Sequence, residues 1–293
     1  MTITEARQII DRYIDKTVLT EDEEFLFLEA LEYMITATRE TRWMVELGGY
    51  HYGEKNYDLA LKYYEMADEL GDRWAAEGLG YIWYYGRTGE VDYAKAFRYY
   101  HKAMENGNLK SMVKVADMYR NGYGVERNED MYVELIETAF TNVQGARFLE
   151  EPLPEVCTRL ARIRTKQGRV EEAVELYLRA KVFLAQRIAH NPFFGNLNIM
   201  KWLEEDLYEL VDFDPADFDL YDLYVLMKEP VRVAFGCCGA ELEVESVRDG
   251  GAIGIRFDDR WYRDIDDFFA KATFGGERIT TYYASMYAFS VVE

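Results

Sequence analysis

The chain of 293 residues is long enough for one repeat array and one small domain, and its 49% hydrophobic and 15% aromatic content can build a large core. This composition excludes a mainly disordered chain, and a formal net charge of −20 disfavours nucleic acid and anionic membrane surfaces as partners. Residues 200–293 hold 21 acidic residues against 9 lysines and arginines, which favours a basic protein or peptide as partner.

No stretch reaches the ~20 consecutive apolar residues of a membrane-spanning helix, and the N-terminal sequence lacks the basic and apolar regions of a signal peptide. The sequence therefore predicts a cytoplasmic protein. Its cysteines, Cys157, Cys237 and Cys238, are too few and too unevenly spaced for a disulfide framework or a four-ligand zinc site. We expect reduced thiols, no metal and no cofactor.

Two helices are predicted at the N-terminus, over residues 2–15 and 20–39. Each begins with a threonine followed three residues later by a glutamate, Thr2 with Glu5 and Thr20 with Glu23, the pattern of a capping box. We interpret residues 1–40 as a helical hairpin that caps the repeats.

A repeat follows, marked by Gly53, Gly86 and Gly122 at separations of 33 and 36 residues. An aromatic residue stands three positions before each glycine, and two copies share a pair of alanines seven residues apart with two tyrosines between them. This period is typical of helical-hairpin repeats. Helix starts are predicted at Asn56, Asp92, Asn108 and Asn128, and helix ends at Gly71 and Gly107.

Beyond the repeats, the sequence predicts helices over 155–167 and 170–187, which make a divergent further copy, then over 197–211 and from Asp214 to about Lys228. After Pro230 the pattern alternates, and Asp249-Gly250-Gly251 predicts a hairpin turn, followed by a helix over 261–272 and a last strand over 287–292. We therefore expect an array over 41–190, a helical connector over 191–229 and a small α+β domain over 230–293.

The second copy carries the most specific motif. Leu79-Gly80-x-x-Trp83-x-x-Gly86, followed by Ala94-Lys95-Ala96, Tyr99-Tyr100, Lys102-Ala103 and Gly107, resembles a Sel1-like repeat, a relative of the tetratricopeptide repeat. The resemblance covers about residues 41–187 and does not extend to the C-terminal domain. It implies a mainly α protein, an α/α superhelical solenoid that serves as a scaffold for protein partners, commonly in bacterial signalling or host interaction.

Positions two, five and nine residues before each repeat glycine are not needed for packing between hairpins, so we expect them to line a groove for a peptide or protein. Aromatic, charged and methionine side chains suit such a surface because they bury area on a rigid support. The resulting contact candidates are Met44, His51, Glu77, Tyr81, Tyr84, Asp117 and Arg120.

The leading hypothesis is a non-enzymatic interaction scaffold. The alternative is an acidic inhibitor or immunity-type protein, whose C-terminal domain masks the basic site of a toxin or nuclease. A third class is an enzyme that uses Asp258, Asp264 or Cys237. The spacing of these residues does not support a catalytic motif. Cys237 and Cys238 fit either a reactive pair or small apolar residues at a strand end.

Overall fold

The computed structural model describes residues 1–14, 16, 18–72, 74–145, 152–191, 193–212 and 218–292, with only the backbone of residue 194. Contacts divide the chain into two compact units, Met1–Ala139 and Phe140–Glu293. Unit 1 is helical, whereas unit 2 combines helices with an antiparallel sheet. The chain is thus mainly α, with a run of helical hairpins followed by a small sheet region, as the sequence predicts. The finer domain boundaries at 40, 190 and 229 stay predictions.

From α1 to α7, each helix of unit 1 packs against the next. Helix α8 runs from unit 1 into unit 2. The helices are α1 (Ile3–Tyr13), α2 (Glu21–Thr38), α3 (Thr41–Gly53), α4 (Tyr57–Glu69), α5 (Ala75–Tyr84), α6 (Tyr93–Glu105), α7 (Leu109–Asn121) and α8 (Glu129–Val143).

Local sequence signals fix most helix ends in unit 1. Both predicted capping boxes are confirmed, because the hydroxyls of Thr2 and Thr20 each accept from a backbone N–H and the paired glutamates return the contact. The side chains of Asp92 and Asn108 also cap their helices. Asn56, in contrast, makes no side-chain capping bond at the start of α4.

Glycines let tyrosine rings pack closely within a hairpin and against the next one. The ring of Tyr64 on α4 lies between Gly48 of α3 and Gly78 of α5, where an added Cβ would lie 2.8 Å and 2.6 Å from ring carbons. Tyr100 on α6 fills the corresponding position against Gly80, with a nearest distance of 2.6 Å. The tyrosines that lie between the paired alanines of the repeat thus pack directly on glycine backbone.

Unit 2 begins with the helices α9 (Leu153–Lys166), α10 (Val170–His190) and α11 (Phe194–Tyr208). The helix predicted from Asp214 starts outside the described residues. The part of it that is described forms a 3-10 turn, Leu220–Asp222, and the short helix α12 (Leu223–Leu226), and not a regular helix that continues to Lys228.

Within the described ranges, five strands form one antiparallel sheet in the order β4-β3-β2-β1-β7, and β5 pairs with β6. The predicted hairpin at Asp249 is confirmed. The remaining elements of unit 2 are β1 (Arg232–Cys237), β2 (Ala240–Asp249), β3 (Ala252–Phe257), β4 (Arg260–Tyr262), α13 (Ile265–Lys271), β5 (Thr273–Phe274), β6 (Glu277–Arg278), a 3-10 segment (Ile279–Ser285) and β7 (Met286–Val292).

One face of the sheet is buried in a core that also takes in Leu184 of α10. On the other face, aromatic rings cover two strand glycines. A Cβ on Gly254 would lie 2.1 Å from the ring of Trp261, and one on Gly236 would lie 2.4 Å from the ring of Tyr287. The prediction of a single helix over 261–272 is therefore wrong at its start, because Trp261 belongs to β4 and lies on its neighbouring strand.

Candidate partner-binding surface

Three tyrosines come together at the C-terminal end of α5. Tyr81 and Tyr84 are half-buried, and Tyr85, which follows the last helical residue, is 43% exposed. The ring of Tyr85 stacks on Tyr81 with centroids 5.8 Å apart and meets Tyr84 edge to face at 4.9 Å. Beneath them, the buried ring of Tyr100 contacts both Tyr81 and Tyr84. Because this support is rigid, the exposed ring atoms are held in one arrangement.

Two further tyrosines join through the loop after α7. Gly122 ends that helix in the left-handed conformation, at a φ of +71°. The loop then passes so close to α6 that a Cβ on Gly124 would lie 2.1 Å from the backbone oxygen of Tyr93. This approach stacks Tyr123 on Tyr93 with centroids 4.4 Å apart, and Tyr93 in turn meets Tyr84 at 5.3 Å.

Lys114 of α7 supplies the cation of this group. Its ammonium lies 5.3 Å from the ring centroids of Tyr81 and Tyr84 and 5.4 Å from that of Tyr85. It also donates a hydrogen bond of 3.1 Å to the Tyr85 hydroxyl. A cation over aromatic faces is attracted by the ring quadrupole. We call Tyr81, Tyr84, Tyr85, Tyr93 and Tyr123, with Lys114, the tyrosine patch.

The surroundings of Tyr84 favour its neutral phenol. Burial, then the neighbouring Tyr85 and the carboxylate of Asp117, raise the pKa of Tyr84 to about 12. The patch therefore offers hydroxyl donors and acceptors and aromatic faces at physiological pH, with Lys114 and Asp117 as charges of opposite sign beside them.

The other predicted contact residues have partners of their own or are buried. Glu77 accepts a hydrogen bond of 2.6 Å from the side chain of Asn108, and the guanidinium of Arg120 lies 5.3 Å from the ring of Tyr132. Met44 is 3% exposed and belongs to the core around α2 and α3.

His51 is also buried, at 9% exposure, and stacks on Tyr63 at 5.7 Å. Burial lowers the pKa of this imidazole, and Glu32 opposes the shift. In this arrangement neither His51 nor Met44 offers area to a partner, so the contact surface proposed below does not depend on them.

The residues predicted from the sequence include Tyr81 and Tyr84 of the tyrosine patch and the neighbouring Asp117, and do not include Tyr85, Tyr93, Tyr123 or Lys114. Only Tyr85 had a local signal, as the second half of the Tyr84-Tyr85 pair. The others reach the patch through packing of α6 and α7. The spacing rule took positions only from the first helix of each repeat. It therefore could not identify residues that neighbouring helices and loops contribute.

The residues of the enzyme hypothesis have structural roles. Cys237 is buried, and burial raises the pKa of its thiol to about 11, with Cys238 adding to the shift. Asp258 lies in the turn between β3 and β4 at a φ of +50°, and Asp264 caps α13. These placements bring no nucleophile and base together among the three.

One group of carboxylates has ligand atoms close enough for a metal ion. Glu204, Asp219 and Asp222 place oxygens within 4.8 Å of one another in unit 2. The ammonium of Lys181 already lies 3.0 Å, 3.1 Å and 2.7 Å from these three carboxylates. The Lys181 ammonium is therefore already the counter-ion of these carboxylates.

The stacked hairpins and their glycine–tyrosine contacts define unit 1 as a helical-hairpin repeat array. Residues 44–72, 75–108 and 109–131 match the Sel1 repeat family model, so the chain carries three Sel1 repeats. Repeats of this kind commonly mediate interactions between proteins. The tyrosine patch is built from the second and third matched segments.

Two repeat proteins are among the solved structures that match this chain. One is a Sel1 repeat protein from Oxalobacter formigenes, at 17% identity and a TM-score of 0.52 over 78% of this chain and 86% of that one. The other is a protective antigen of uropathogenic Escherichia coli with an SLR fold, at 17% identity and a TM-score of 0.45. That match covers 64% of this chain, which spans only 46% of the antigen.

A search of curated proteins finds no match. Among the residues that the structure describes, every helix is too short or too polar to span a bilayer.

Proposed function

We propose that this protein is a non-enzymatic scaffold that binds a protein or peptide, and that the tyrosine patch is its principal contact. The observation that carries the proposal is a group of tyrosines, two of them at least 36% exposed, fixed on neighbouring Sel1 repeats by a buried tyrosine and a lysine. Aromatic residues on a rigid support are the commonest anchors of protein interfaces, because they bury much area for little lost rotamer freedom.

The chemistry of the patch favours a polypeptide that presents both apolar and polar groups. Ring faces bind aliphatic or cationic side chains, and the phenol hydroxyls exchange hydrogen bonds with a backbone. Lys114 is partly satisfied by the rings and by the Tyr85 hydroxyl, so it does not leave a strongly charged surface. An extended peptide or a helix end satisfies these requirements.

The acidic C-terminal region supports the inhibitor alternative less well. On β2, Glu243 lies 4.0 Å from Arg232, and Glu245 pairs with both Arg232 and Arg256. Part of the acidic charge is thus already neutralised within the sheet, where exposed pairs hold each other only weakly. This arrangement favours a mixed polar surface over a row of acids that waits for a basic active site.

The test compares binding by the full chain and by a variant in which Tyr85→Ala and Tyr123→Ala are combined. Partners captured by the wild-type protein are identified by mass spectrometry, and their affinities for both forms are measured in solution. We expect at least a tenfold loss of affinity, since removal of one anchor at an interface commonly costs about 1.4 kcal/mol or more.

The matched control is Trp202→Ala, which removes an aromatic side chain of similar exposure, 50%, from unit 2. Cooperative thermal unfolding of all three proteins, with each melting temperature above the temperature of the binding assay, shows that folding is intact. Unchanged affinity in the tyrosine variant together with a loss in the tryptophan variant would move the contact to unit 2 and refute the proposal.

A further inference from the structure

A buried charge cluster ties together three segments of unit 2. Lys181 of α10 lies within 3.1 Å of Glu204 on α11 and of Asp219 and Asp222 around the 3-10 turn. Glu204 and Asp222 are fully buried, and Lys181 is 7% exposed. The cluster is separate from the tyrosine patch, which belongs entirely to unit 1.

The formal charges of this cluster do not balance. Three ionised carboxylates around one ammonium would leave a charge of −2 in a region shielded from water. Burial of uncompensated charge is costly, and a carboxyl group in such a place takes up a proton instead. One carboxyl of the three must therefore be the most easily protonated.

Asp222 accepts hydrogen bonds from three donors. Its Oδ1 accepts hydrogen bonds of 2.7 Å from both Lys181 and the Tyr208 hydroxyl, and its Oδ2 accepts one of 2.6 Å from the backbone N–H of Asp219. A proton on this carboxyl would displace one of these donors and lose its hydrogen bond.

Asp219 also accepts hydrogen bonds, from two donors. The backbone N–H of Tyr221 donates to its Oδ1 at 2.8 Å, and the Tyr283 hydroxyl donates to its Oδ2 at 3.1 Å. Its carboxylate also lies 3.1 Å from the Lys181 ammonium.

Glu204 lacks this support. Its Oε1 lies 3.0 Å from the Lys181 ammonium, but among the described residues neither carboxylate oxygen receives a hydrogen bond of good geometry. Glu204 is therefore the carboxyl that loses least when it is protonated.

We propose that Glu204 holds a proton at neutral pH, so that the cluster consists of one ammonium, two carboxylates and one neutral carboxylic acid. Loss of this proton on going to alkaline pH places a second excess negative charge beside Asp219 and Asp222 and loosens the packing of α10, α11 and the 3-10 turn. Unit 2 thereby contains a proton-dependent clamp.

The pKa directions single out Glu204 and Asp219. Burial raises the pKa of Asp219, with Lys181 and the backbone N–H of Tyr221 opposing the shift, but Asp219 accepts the hydrogen bonds that Glu204 lacks. Burial first, and then the charges of Asp222 and Asp219, raise the pKa of Glu204 well above its ordinary value of 4.5, although Lys181 opposes the shift. Burial lowers the pKa of Lys181, but the three carboxylates outweigh this effect and raise it, so the lysine stays charged.

In the part of the chain that the structure describes, the other titratable groups near Glu204 are tyrosines or charges engaged with other partners. Tyr208 on the same helix and Tyr224 on α12 both face it, and both have raised pKa values, burial being the main cause. From α9, Arg162 is engaged 2.6 Å from Asp206, and Asp266 of α13 is engaged 2.9 Å from Lys201.

The sign of the pH effect follows from proton linkage. Between the ordinary pKa of 4.5 in the unfolded chain and the raised pKa in the folded one, the folded state holds the extra proton, so stability falls as pH rises. One proton of difference corresponds to a tenfold change in the unfolding equilibrium constant per pH unit.

The experiment compares the full-length wild-type protein with Glu204→Gln, whose amide has nearly the shape of the protonated acid. Urea unfolding is followed from pH 5 to 8, with hydrogen exchange of the α10 and α11 peptides reporting on unit 2. Glu209→Gln, which removes an exposed acid at the end of the same helix, is the matched control.

We expect the unfolding constant of unit 2 in the wild type and in Glu209→Gln to rise with pH more steeply than in Glu204→Gln, by up to tenfold per pH unit. Equal slopes for the wild type and Glu204→Gln would overturn the proposal. So would a rise in the wild-type midpoint on addition of Mg²⁺ or Ca²⁺ that Glu204→Gln abolishes, because the cluster would then be a cation site.

Infrared spectroscopy of the wild type keeps the proposal testable even if Glu204→Gln does not fold. The carbonyl band of a buried protonated carboxylic acid is expected at neutral pH and should disappear as the pH is raised. Its absence at pH 7 would show that Glu204 is ionised and would contradict the assignment.

Discussion

The ring of Tyr64 provides a sharp test of how the repeats pack. Its ring lies between Gly48 and Gly78, so a methyl group on either glycine would approach ring carbons to 2.8 Å or 2.6 Å. Tyr64 is only 8% exposed and cannot move away from one glycine without approaching the other. Gly78→Ala therefore introduces an overlap that the packing cannot relieve by a simple rotation of the side chain.

The expected magnitude follows from two opposing terms. Excess volume in a packed core costs about 1–3 kcal/mol, whereas replacing glycine by alanine inside a helix gains roughly 1 kcal/mol. Gly78→Ala should thus lower the free energy of unfolding by about 0–2 kcal/mol. Combining it with Gly48→Ala should cost more than the sum of the single changes, because the two substitutions share one ring.

Gly49→Ala is the matched control, since the nearest atom to its added Cβ is the Tyr64 hydroxyl oxygen at an ordinary 3.7 Å. It keeps the helix-propensity gain and should stabilise by up to about 1 kcal/mol. The assay is urea unfolding by circular dichroism, with hydrogen exchange locating the change in α3 to α5. If Gly78→Ala and Gly48→Ala both stabilise as much as Gly49→Ala, the close packing of Tyr64 is not what joins these hairpins.

Three further predictions concern single side chains. Lys114→Met should lower the stability of unit 1 by about 1 kcal/mol through lost cation–π contacts, while Lys110→Met, an exposed change on the same helix, should have little effect in thermal unfolding. Ser246→Ala should cost about 1–3 kcal/mol, because its buried hydroxyl accepts from the backbone N–H of Val231 at 2.8 Å, and faster hydrogen exchange in β1 would report the loss. The lowered pKa of His51 should make unit 1 less stable as pH falls below 6.5, since the unfolded chain then binds more protons, and His51→Phe should remove this dependence in urea unfolding while it keeps a ring against Tyr63.

Sequence reasoning succeeded where a signal is local. The two Thr-x-x-Glu boxes fix the starts of α1 and α2, and the glycine period identified the repeats, because each signal acts within a few residues of its own position. Trp261 shows the limit of such reasoning. Its neighbours have a helical pattern, but its ring packs on Gly254 of the adjacent strand. No local spacing in the sequence reveals this contact.

The candidate sites depend even more on tertiary contacts. Lys114 and Tyr123 enter the tyrosine patch from α7 and its following loop, so only the packing of α6 and α7 places them near Tyr84. Glu204 looks like an ordinary acidic residue on a polar helix in the sequence, beside Glu205 and Asp206. Its burial beside Lys181 becomes apparent only when α10 and α11 are packed together.

The packing of Tyr287 on Gly236 affects the register in which the last strand, β7, pairs with β1. Gly236 is the strand position where the ring of Tyr287 lies flat, and its neighbours Phe235 and Cys237 point to the opposite, buried face. A slip of β7 by one residue would turn the tyrosine toward the core and take its ring away from the glycine. Because Gly236 has no side chain, the native alignment of β1 and β7 leaves room for the ring of Tyr287. Gly236 thus selects one register of β7 from the several that backbone hydrogen bonds alone would permit.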